Sequence, residues 1–437
     1  RLLSARMEIL LKPVDWLWLS AAGIAPSTAS AHRIQFESEI RGPVGVVAVL
    51  ANSFTVLGQT VLVDATTVFD ERIVATLYDN VRGRISVFTD KGEFGGWQAN
   101  AIQAPENVAI HLGSSSRASE KVFYTYEGFL TPPTLNLANV AALSSDRIRE
   151  APAKFDASND VVEQFEATSK DGTKIPYFVV HPKGELTGKT ATMMFGYGGF
   201  QVSFPPVYKP ELGKIWLERG GAYVIANIRG GGEFGPAWHQ AALKGNRQRA
   251  FDDFAAVAAD LAARKITSAK NIGIYGRSNG GVLTSVTLTQ HPELIGGAVI
   301  ESPLVDMLRY HELPPGASWM GEYGDPRIAE EARWIAAYSG YQNVQPDAKY
   351  PEVYVTTNTR DDRVHPGHAR KFAARIACNP SFAVRMAKRL IWDAQSMSIG
   401  QILEMSAAMQ AVAHATKDNA EAVNAFLEKR KPVFKGD

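Results

Sequence analysis

Cysteine and an excess of either charge are the two things that this chain most lacks. It has one cysteine, Cys378, in 437 residues, and its formal net charge is +1. A single cysteine excludes an intrachain disulfide and a cysteine-rich metal site. A near-neutral charge gives no electrostatic reason to bind nucleic acid or acidic membranes, and no apolar run reaches the roughly 18 residues that a membrane-spanning helix needs. We therefore expect a protein without metal or other cofactor that binds neither nucleic acid nor membrane.

The composition is otherwise that of an ordinary globular protein. Hydrophobic residues make up 45% and charged residues 21% of the chain, and the length suggests two or three domains. Residues 7–31 loosely imitate an export signal, but Asp15 interrupts the apolar stretch and Pro26 follows it. The cytoplasm is therefore the favoured location, and export is the open alternative.

Four stretches of the chain differ in pattern. Residues 1–71 begin irregularly and then carry two β-like runs, 44–50 and 54–63, which suggest a hairpin or a small β module. Residues 72–155 contain short strands separated by turns, enough for about two blades of a β-propeller, whereas a closed propeller needs at least about four. The strands predicted there are 84–88, 108–112 and 121–126.

Residues 156–378 change to strands that alternate with helices. This alternation predicts a mostly parallel sheet with helices on both faces, the doubly wound α/β class. The last stretch, 379–437, is helical, with apolar residues three and four apart at 383–391, 399–415 and 420–429. The strands predicted in the α/β stretch are 177–180, 191–195, 222–227, 272–275, 297–300 and 353–357, and its clearest helices are 251–264 and 279–289.

A G-x-S-x-G pattern lies in the α/β stretch, where residues 276–281 read Gly-Arg-Ser-Asn-Gly-Gly. It follows an apolar strand and precedes a helix rich in small residues, so Ser278 sits on a sharp turn with its hydroxyl clear of the backbone. The helix N-terminus at this point favours developing negative charge. The pattern makes Ser278 a candidate nucleophile, and an incidental serine in a glycine-rich turn is the alternative.

A serine nucleophile needs a base, an acid that orients the base, and donors for the oxyanion. In α/β-hydrolases the acid follows the serine on a loop after a later strand. Asp361 occupies such a place, with a solvated loop aspartate as the alternative. Residues 195–200 read Phe-Gly-Tyr-Gly-Gly-Phe after another strand, so the Tyr197 hydroxyl could join the Asn279 amide as an oxyanion donor. A role for Tyr197 in loop packing alone is equally consistent with the sequence.

Five motifs in order resemble the prolyl oligopeptidase family of serine peptidases, over residues of about 72–377. They are Asp-Gly-Thr-Lys-Ile-Pro-Tyr at 171–177, Gly-Tyr-Gly-Gly-Phe at 196–200, Ala-Asn-Ile-Arg-Gly-Gly-Gly-Glu-Phe-Gly at 226–235, the serine motif at 276–281, and Asp-Asp-Arg-Val at 361–364. The resemblance implies an α/β-hydrolase domain preceded by β-propeller strands. It also implies short peptide substrates, an acyl-enzyme on Ser278, and Asp361 as the triad acid.

The same resemblance assigns residues to the substrate pocket. Tyr197 and the Asn279 amide are implied to form the oxyanion hole. An aromatic slot in the family holds the proline ring that precedes the cut bond, and such a slot suits a flat pyrrolidine that offers no N–H and gains from stacking. For Trp319 an ordinary core position is the alternative. The residues implied to bind substrate are Phe200, Trp319, Tyr323, Arg363 and Val364.

The sequence departs from this family at both ends. The family places its catalytic histidine in a Gly-His-Gly loop after the acid, but the matching window, 396–404, contains no histidine. His365 and His368 lie too close to the acid to be oriented by it, and we expect both to be solvated loop residues. Residues 379–437 resemble instead the C-terminal helices of the enoyl-CoA hydratase (crotonase) family, and 35–71 weakly resemble a small β module of bacterial exported proteins.

These features predict a serine hydrolase of the prolyl oligopeptidase type with weak or no turnover, because no base is identified. A carboxylesterase that acts on small acyl esters is one alternative. An inactive fusion that associates into a homo-oligomer through its C-terminal helices is another. Without the last strand of the family, 353–357 is expected to form an edge of the sheet, and we expect Asp361 to be poorly held there.

Overall fold

The computed structural model describes residues 39–42, 45–48, 53–56, 59–69, 72–91, 97–345, 348–376, 399–430 and 432. The predicted helix at 383–391 lies outside the described residues, and so does Cys378. Strands and helices are numbered below in chain order.

Eleven strands are described before the α/β stretch, and they form antiparallel sheets. They are β1 (Glu39–Gly42), β2 (Gly45–Ala48), β3 (Ser53–Val56), β4 (Gln59–Val68), β5 (Arg72–Asp79), β6 (Arg82–Asp90), β7 (Trp97–Ile102), β8 (Val108–Ser116), β9 (Lys121–Gly128), β10 (Thr134–Asn139) and β11 (Ser144–Glu150). The described strands pair as β1-β2, as β3-β4-β5-β6-β7 and as β11-β10-β9-β8. Along β10 every second residue is buried, because one face of an antiparallel sheet covers the core and the other meets solvent.

Two expectations for this region differ from the structure. The single strand predicted at 54–63 is two strands, β3 and β4, which pair with each other. The boundary predicted at residue 71 falls between β4 and β5, which pair antiparallel in the same sheet. A change in side-chain pattern along the chain therefore did not mark a structural boundary, since strand pairing crosses it.

The α/β stretch forms one seven-stranded sheet. Its strands are β12 (Asp160–Thr168), β13 (Lys174–Pro182), β14 (Thr192–Gly196), β15 (Ala222–Ala226), β16 (Ile272–Arg277), β17 (Gly297–Glu301) and β18 (Glu352–Thr356). Their order is β12-β13-β15-β14-β16-β17-β18, and the last five are parallel while β13 is antiparallel to both its neighbours. All five residues of β15 are buried, as expected for a strand covered on both faces. The predicted α/β-hydrolase fold is confirmed.

Helices cover both faces of this sheet. The described helices are α1 (Pro210–Ile215), α2 (Pro236–Gln240), α3 (Gln248–Ala263), α4 (Asn279–Gln290), α5 (Met320–Tyr323), α6 (Ala329–Tyr338), α7 (Gly367–Ile376), α8 (Ile399–His414) and α9 (Lys417–Leu427). On one face Phe254 of α3, Leu283 of α4 and Phe372 of α7 pack in a single core with Ile274 of β16. On the other face Trp216, after α1, packs in a second core. Apolar residues three and four apart give α3 its buried stripe.

The second face becomes uncovered toward β18. Phe195, Tyr275, Val299 and Tyr354 are register partners on β14, β16, β17 and β18. Phe195 is 8% exposed, whereas Val299 is 37% and Tyr354 is 52% exposed. Among the described strands β18 pairs only with β17, so it lies at the edge of the described sheet, where the sequence predicts it.

The C-terminal helices α8 and α9 agree with the helical periodicity predicted for 399–415 and 420–429. Their resemblance to crotonase helices stays a prediction. None of the described helices is both long and apolar enough to cross a membrane.

Candidate active site

Ser278 lies on the turn between β16 and α4. Its φ is 58° and its ψ is −116°, a strained conformation for a residue with a side chain. The turn closes because Gly276 has no Cβ: an added Cβ would lie 2.0 Å from the Gly280 carbonyl oxygen. The Ser278 amide donates to the Glu301 carbonyl at 3.0 Å. The sequence pattern therefore has the geometry of a nucleophile elbow.

Two side chains meet the Ser278 hydroxyl. Arg363 Nη1 donates to Ser278 Oγ at 3.1 Å, and the Tyr197 hydroxyl is near enough for Ser278 to influence its pKa. Burial raises the pKa of Tyr197, although the Arg363 charge and the Ser278 hydroxyl oppose it. Tyr197 therefore stays a neutral phenol at neutral pH. The Arg363 guanidinium has only N–H donors and no acceptor atom, so it cannot take the serine proton.

Asn279 joins the elbow to the Tyr197 loop. The residue is fully buried, and its Nδ2 donates to the Tyr197 carbonyl at 2.5 Å. Its Oδ1 accepts from Tyr323 Oη at 2.7 Å. As the first residue of α4, Asn279 has a backbone N–H without an intrahelical acceptor. The role of this N–H and of the Tyr197 hydroxyl in an oxyanion hole stays a prediction.

A buried charged group that the sequence did not reveal lies behind Asn279. Arg247 is 1% exposed; its Nη2 donates to Asn279 Oδ1 at 2.5 Å and its Nη1 to Glu322 Oε1 at 2.8 Å. Glu322 also accepts from the Phe200 amide at 2.9 Å and pairs with His239 Nε2 at 2.8 Å. These residues are far apart in sequence and follow no motif spacing, so no local signal identified them.

The predicted pocket residues are partly brought together. The rings of Phe200 and Tyr323 meet edge to face with centroids 5.8 Å apart. Val364 is 1% exposed, and the half-buried Trp319 packs against the same core as Tyr323 and Val364. Arg363 is exposed, and its guanidinium reaches Ser278. Their roles toward a substrate stay predictions.

Asp361 lies on the loop after β18 and is well held. Its Oδ1 accepts from the amides of Val364 at 2.8 Å and Arg363 at 3.1 Å. Burial, the largest influence, raises the pKa of this carboxyl, but hydrogen bonds from Val364, the Ser302 hydroxyl and Arg363 outweigh it, so the pKa is lowered. The expectation that Asp361 would be poorly held is therefore wrong, because its own turn fixes the carboxylate.

The expectation for the two neighbouring histidines is half wrong. His365 is exposed, as predicted. His368 is 1% exposed, and its Nδ1 accepts from the amides of Val305 at 3.4 Å and Asp306 at 3.2 Å. It is buried because α7 places it one turn before Phe372, on the face that enters the core. Among the described residues no histidine hydrogen-bonds to the Ser278 hydroxyl.

His368 should make the protein sensitive to acid. Burial, partly opposed by the Asp306 charge, lowers the pKa of His368 to about 4, below the ~6.5 of an unfolded chain. The unfolded state therefore binds more protons than the folded state between these two pH values. The free energy of unfolding is unaffected by His368 above about pH 6.5 and falls by roughly 3 kcal/mol toward pH 4.

The variant His368→Gln keeps an acceptor for both amides. Urea unfolding between pH 4 and 7 should show that its free energy of unfolding changes less with pH than that of the wild type. The exposed control His365→Gln should leave it unchanged; equal slopes in wild type and His368→Gln would contradict the assignment.

Known proteins that are similar to this chain share one family. The sequence model of the prolyl oligopeptidase family matches residues 212–387. The chain is 48% identical over 313 residues to an uncharacterised peptidase of Sinorhizobium fredii, an alignment that covers 71% of this chain and 43% of that protein. It is 36% identical over 283 residues to a prolyl endopeptidase of Elizabethkingia meningoseptica, covering 64% of this chain and 40% of the relative.

Solved structures agree with this result. A post-proline cleaving enzyme from Rickettsia typhi has a TM-score of 0.66 at 40% identity, over 77% of this chain and 47% of that one. The chain thus spans less than half the length of each of these three relatives. With the elbow serine, the loop aspartate and the doubly wound sheet, these matches show that the chain carries a domain of the prolyl oligopeptidase family.

Proposed function

We propose that the chain is a serine hydrolase that cleaves short peptides on the carboxyl side of proline through an acyl-enzyme on Ser278. The observation that carries the proposal is the elbow itself: a strained serine whose Oγ is 3.1 Å from a guanidinium nitrogen of Arg363 and beside the Tyr197 hydroxyl. Such donors stabilise a negatively charged oxygen more than a neutral hydroxyl. The edge-to-face pair of Phe200 and Tyr323 supports a flat apolar ring as the substrate group next to the cut bond.

The proposed turnover is weak. Within the described residues neither contact of the Ser278 hydroxyl can accept its proton, so little alkoxide forms near neutral pH. Oxyanion donors and substrate binding alone leave roughly 10³–10⁴-fold catalysis over water in well-studied serine proteases. The residual activity of this chain is expected in that range.

A fluorophosphonate probe and a matched pair of substrates test the proposal. We expect slow covalent labelling of Ser278, measured by mass spectrometry, and no labelling of Ser278→Ala. We also expect a blocked Gly-Pro anilide to be cleaved faster than the matching Gly-Ala anilide, because proline fills the aromatic slot without burying an unpaired N–H. Labelling at other serines only would contradict the assignment of Ser278 as the nucleophile. Equal cleavage rates with the two anilides would contradict the proline preference.

A carboxylesterase is the second candidate, because the described side chains around the Ser278 hydroxyl include no group that can take its proton. Ester cleavage needs less protonation of the leaving group than amide cleavage, so a site without a base loses amidase activity first. In the same assay p-nitrophenyl acetate would then be hydrolysed by wild type but not by Ser278→Ala, while both anilides would remain uncleaved.

We further infer that the C-terminal helices associate with a second copy of the chain. Large apolar side chains of α8 and α9 are exposed, and exposed apolar clusters support association. Phe426 is 82%, Leu427 is 71% and Leu403 is 64% exposed. This inference is compatible with either catalytic proposal and with an inactive fusion.

A further inference from the structure

An open cavity lies where the antiparallel strands β6 and β8 meet β12 and β13 of the α/β sheet. Its volume is about 480 Å³, within the range of small-molecule sites. None of the described residues that line it contacts Ser278, so the cavity is separate from the candidate active site. Its wall includes three cationic side chains, Arg82, Lys174 and Arg264, and three amide side chains, Asn80, Asn107 and Gln164.

Contacts between the two sets of strands define the wall. The Gln164 side chain on β12 donates to the Asn80 carbonyl, in the turn before β6, at 2.7 Å. Asn107 lies directly before β8, and its Nδ2 is 3.5 Å from the Val162 carbonyl on β12. Because these contacts cross from one set of strands to the other, the fold itself forms the cavity before any ligand binds.

Positive charge is in excess in this cavity. Arg82 begins β6, Lys174 begins β13 and Arg264 directly follows α3, so residues far apart in sequence bring three cations to one place. Among the described residues of the wall, Glu166 is the one carboxylate. Cations that converge in this way repel one another, and an anion between them relieves the repulsion.

Lys174 lacks an opposite charge, whereas Arg264 is held in place by two contacts. Lys174 Nζ donates to the neutral Thr168 hydroxyl at 2.7 Å, and it forms no ion pair within the described part of the chain. Arg264 Nε is 2.7 Å from Asp260, and its guanidinium lies over the Phe165 ring, 4.7 Å from the centroid. An ammonium has three donors, so Lys174 can bind an anion as well as Thr168.

Arg82 supplies a donor without an acceptor. Its Nε is enclosed by the protein, and among the described residues no acceptor meets it. Its Nη1 is 3.8 Å from Glu106 Oε2, too far for a hydrogen bond, and that oxygen accepts from Arg84 at 2.8 Å instead. A buried N–H without a partner is unfavourable, and an anionic oxygen at this guanidinium would satisfy it.

These donors match a phosphate group better than a carboxylate. A phosphate monoester has three terminal oxygens and a charge of about −1.5 to −2 near pH 7. Its oxygens accept from donors that approach from several directions, whereas a carboxylate presents two oxygens in one plane. Guanidinium and ammonium groups both bind phosphate through charge-assisted hydrogen bonds.

We propose that this cavity binds a small phosphate anion, free or as the head group of a phosphomonoester, through Arg82, Lys174 and Arg264. Binding is noncovalent and does not depend on Ser278. The phosphate connects β6 to β13 and to the end of α3, so it stabilises the contact between the antiparallel strands and the α/β sheet.

Isothermal titration calorimetry of the full chain tests the proposal with two probes, inorganic phosphate and glycerol 3-phosphate. Ionic strength is kept constant, because salt screens the attraction between exposed charges. We expect saturable binding of one molecule per chain. Tighter binding of glycerol 3-phosphate would identify a phosphomonoester as the ligand, and tighter binding of inorganic phosphate would identify the free anion. Absence of saturable binding of either probe would overturn the proposal.

Matched lysine variants locate the site. Lys174→Gln should weaken binding about tenfold or more, the loss expected for one charge-assisted hydrogen bond. Lys170→Gln removes the same charge from an exposed lysine outside the cavity wall, and it should leave the affinity unchanged. Equal weakening by the two variants would overturn the proposal, since total charge would then attract the anion.

Chemical protection gives a second measurement in the wild-type chain. Phosphate should slow the acetylation of Lys174 by an activated ester, measured by mass spectrometry, but should not slow that of Lys170. Unchanged acetylation of Lys174 at a phosphate concentration that saturates the calorimetric binding would also overturn the proposal, because the anion would then bind elsewhere.

Discussion

Replacing the buried Arg247 with methionine is expected to lower the free energy of unfolding by about 3–5 kcal/mol. Methionine fills a similar volume but leaves Glu322, whose side chain is 5% exposed, as a buried charge without its guanidinium partner. It also removes the donor at 2.5 Å from Asn279 Oδ1. Because Asn279 holds the Tyr197 carbonyl, we expect labelling of Ser278 to slow as well.

Urea denaturation of Arg247→Met beside Arg249→Met gives the measurement with a matched control. Arg249 lies two residues further on, in the first turn of α3, but its side chain is 46% exposed and 3.9 Å from Asp171, so its loss should change stability by no more than about 0.5 kcal/mol. The double variant Arg247→Met/Glu322→Gln should recover part of the loss, since the uncompensated charge is gone. A single Arg247→Met variant as stable as Arg249→Met would show that the pair contributes nothing.

Alanine at Gly276 is expected to distort the elbow. A Cβ there would lie 2.0 Å from the Gly280 carbonyl oxygen and 2.9 Å from Thr284 Cγ2. The backbone must therefore shift, and overpacking of this kind costs about 3 kcal/mol or more. A displacement of Ser278 by about 1 Å should slow labelling roughly 10²-fold.

Gly273→Ala on the same strand is the control, because the nearest atom to its added Cβ is the Thr192 carbonyl oxygen at 3.9 Å. It should keep both the stability and the labelling rate of the wild type. If Gly276→Ala labels as fast as Gly273→Ala, glycine at the elbow is not required for the position of Ser278.

The strands of the sheet and the elbow were predictable because a short segment of sequence determines each of them. The apolar run at 222–227 predicts a strand covered on both faces, and β15 is fully buried. The glycines around Ser278 predict a turn that only a missing Cβ permits. In both cases neighbouring residues determine the local geometry.

Long-range pairing was not predictable in the same way. Arg247 and Glu322 are 75 residues apart, and only the folded chain brings them together. His368 looked like a solvated loop residue, but the packing of Phe372 buries the face of α7 on which it lies. Backbone amides of its own turn hold the Asp361 carboxylate. Because all residues except proline have a backbone N–H, a pattern of side chains does not reveal such a contact.

The place of β18 in the sheet has a mechanical consequence. Ser278 follows β16, which is hydrogen-bonded on both sides, while Asp361 follows β18, which in the described part of the chain is bonded on one side only. A ladder with one neighbour opens at lower free energy than a ladder with two. In the described sheet the nucleophile therefore follows a strand with two hydrogen-bonded neighbours, and the acid follows a strand with one. We therefore expect any change in the separation of Ser278 and Asp361 to come mainly from movement of β18, which would carry Asp361 together with the turn that fixes its carboxylate.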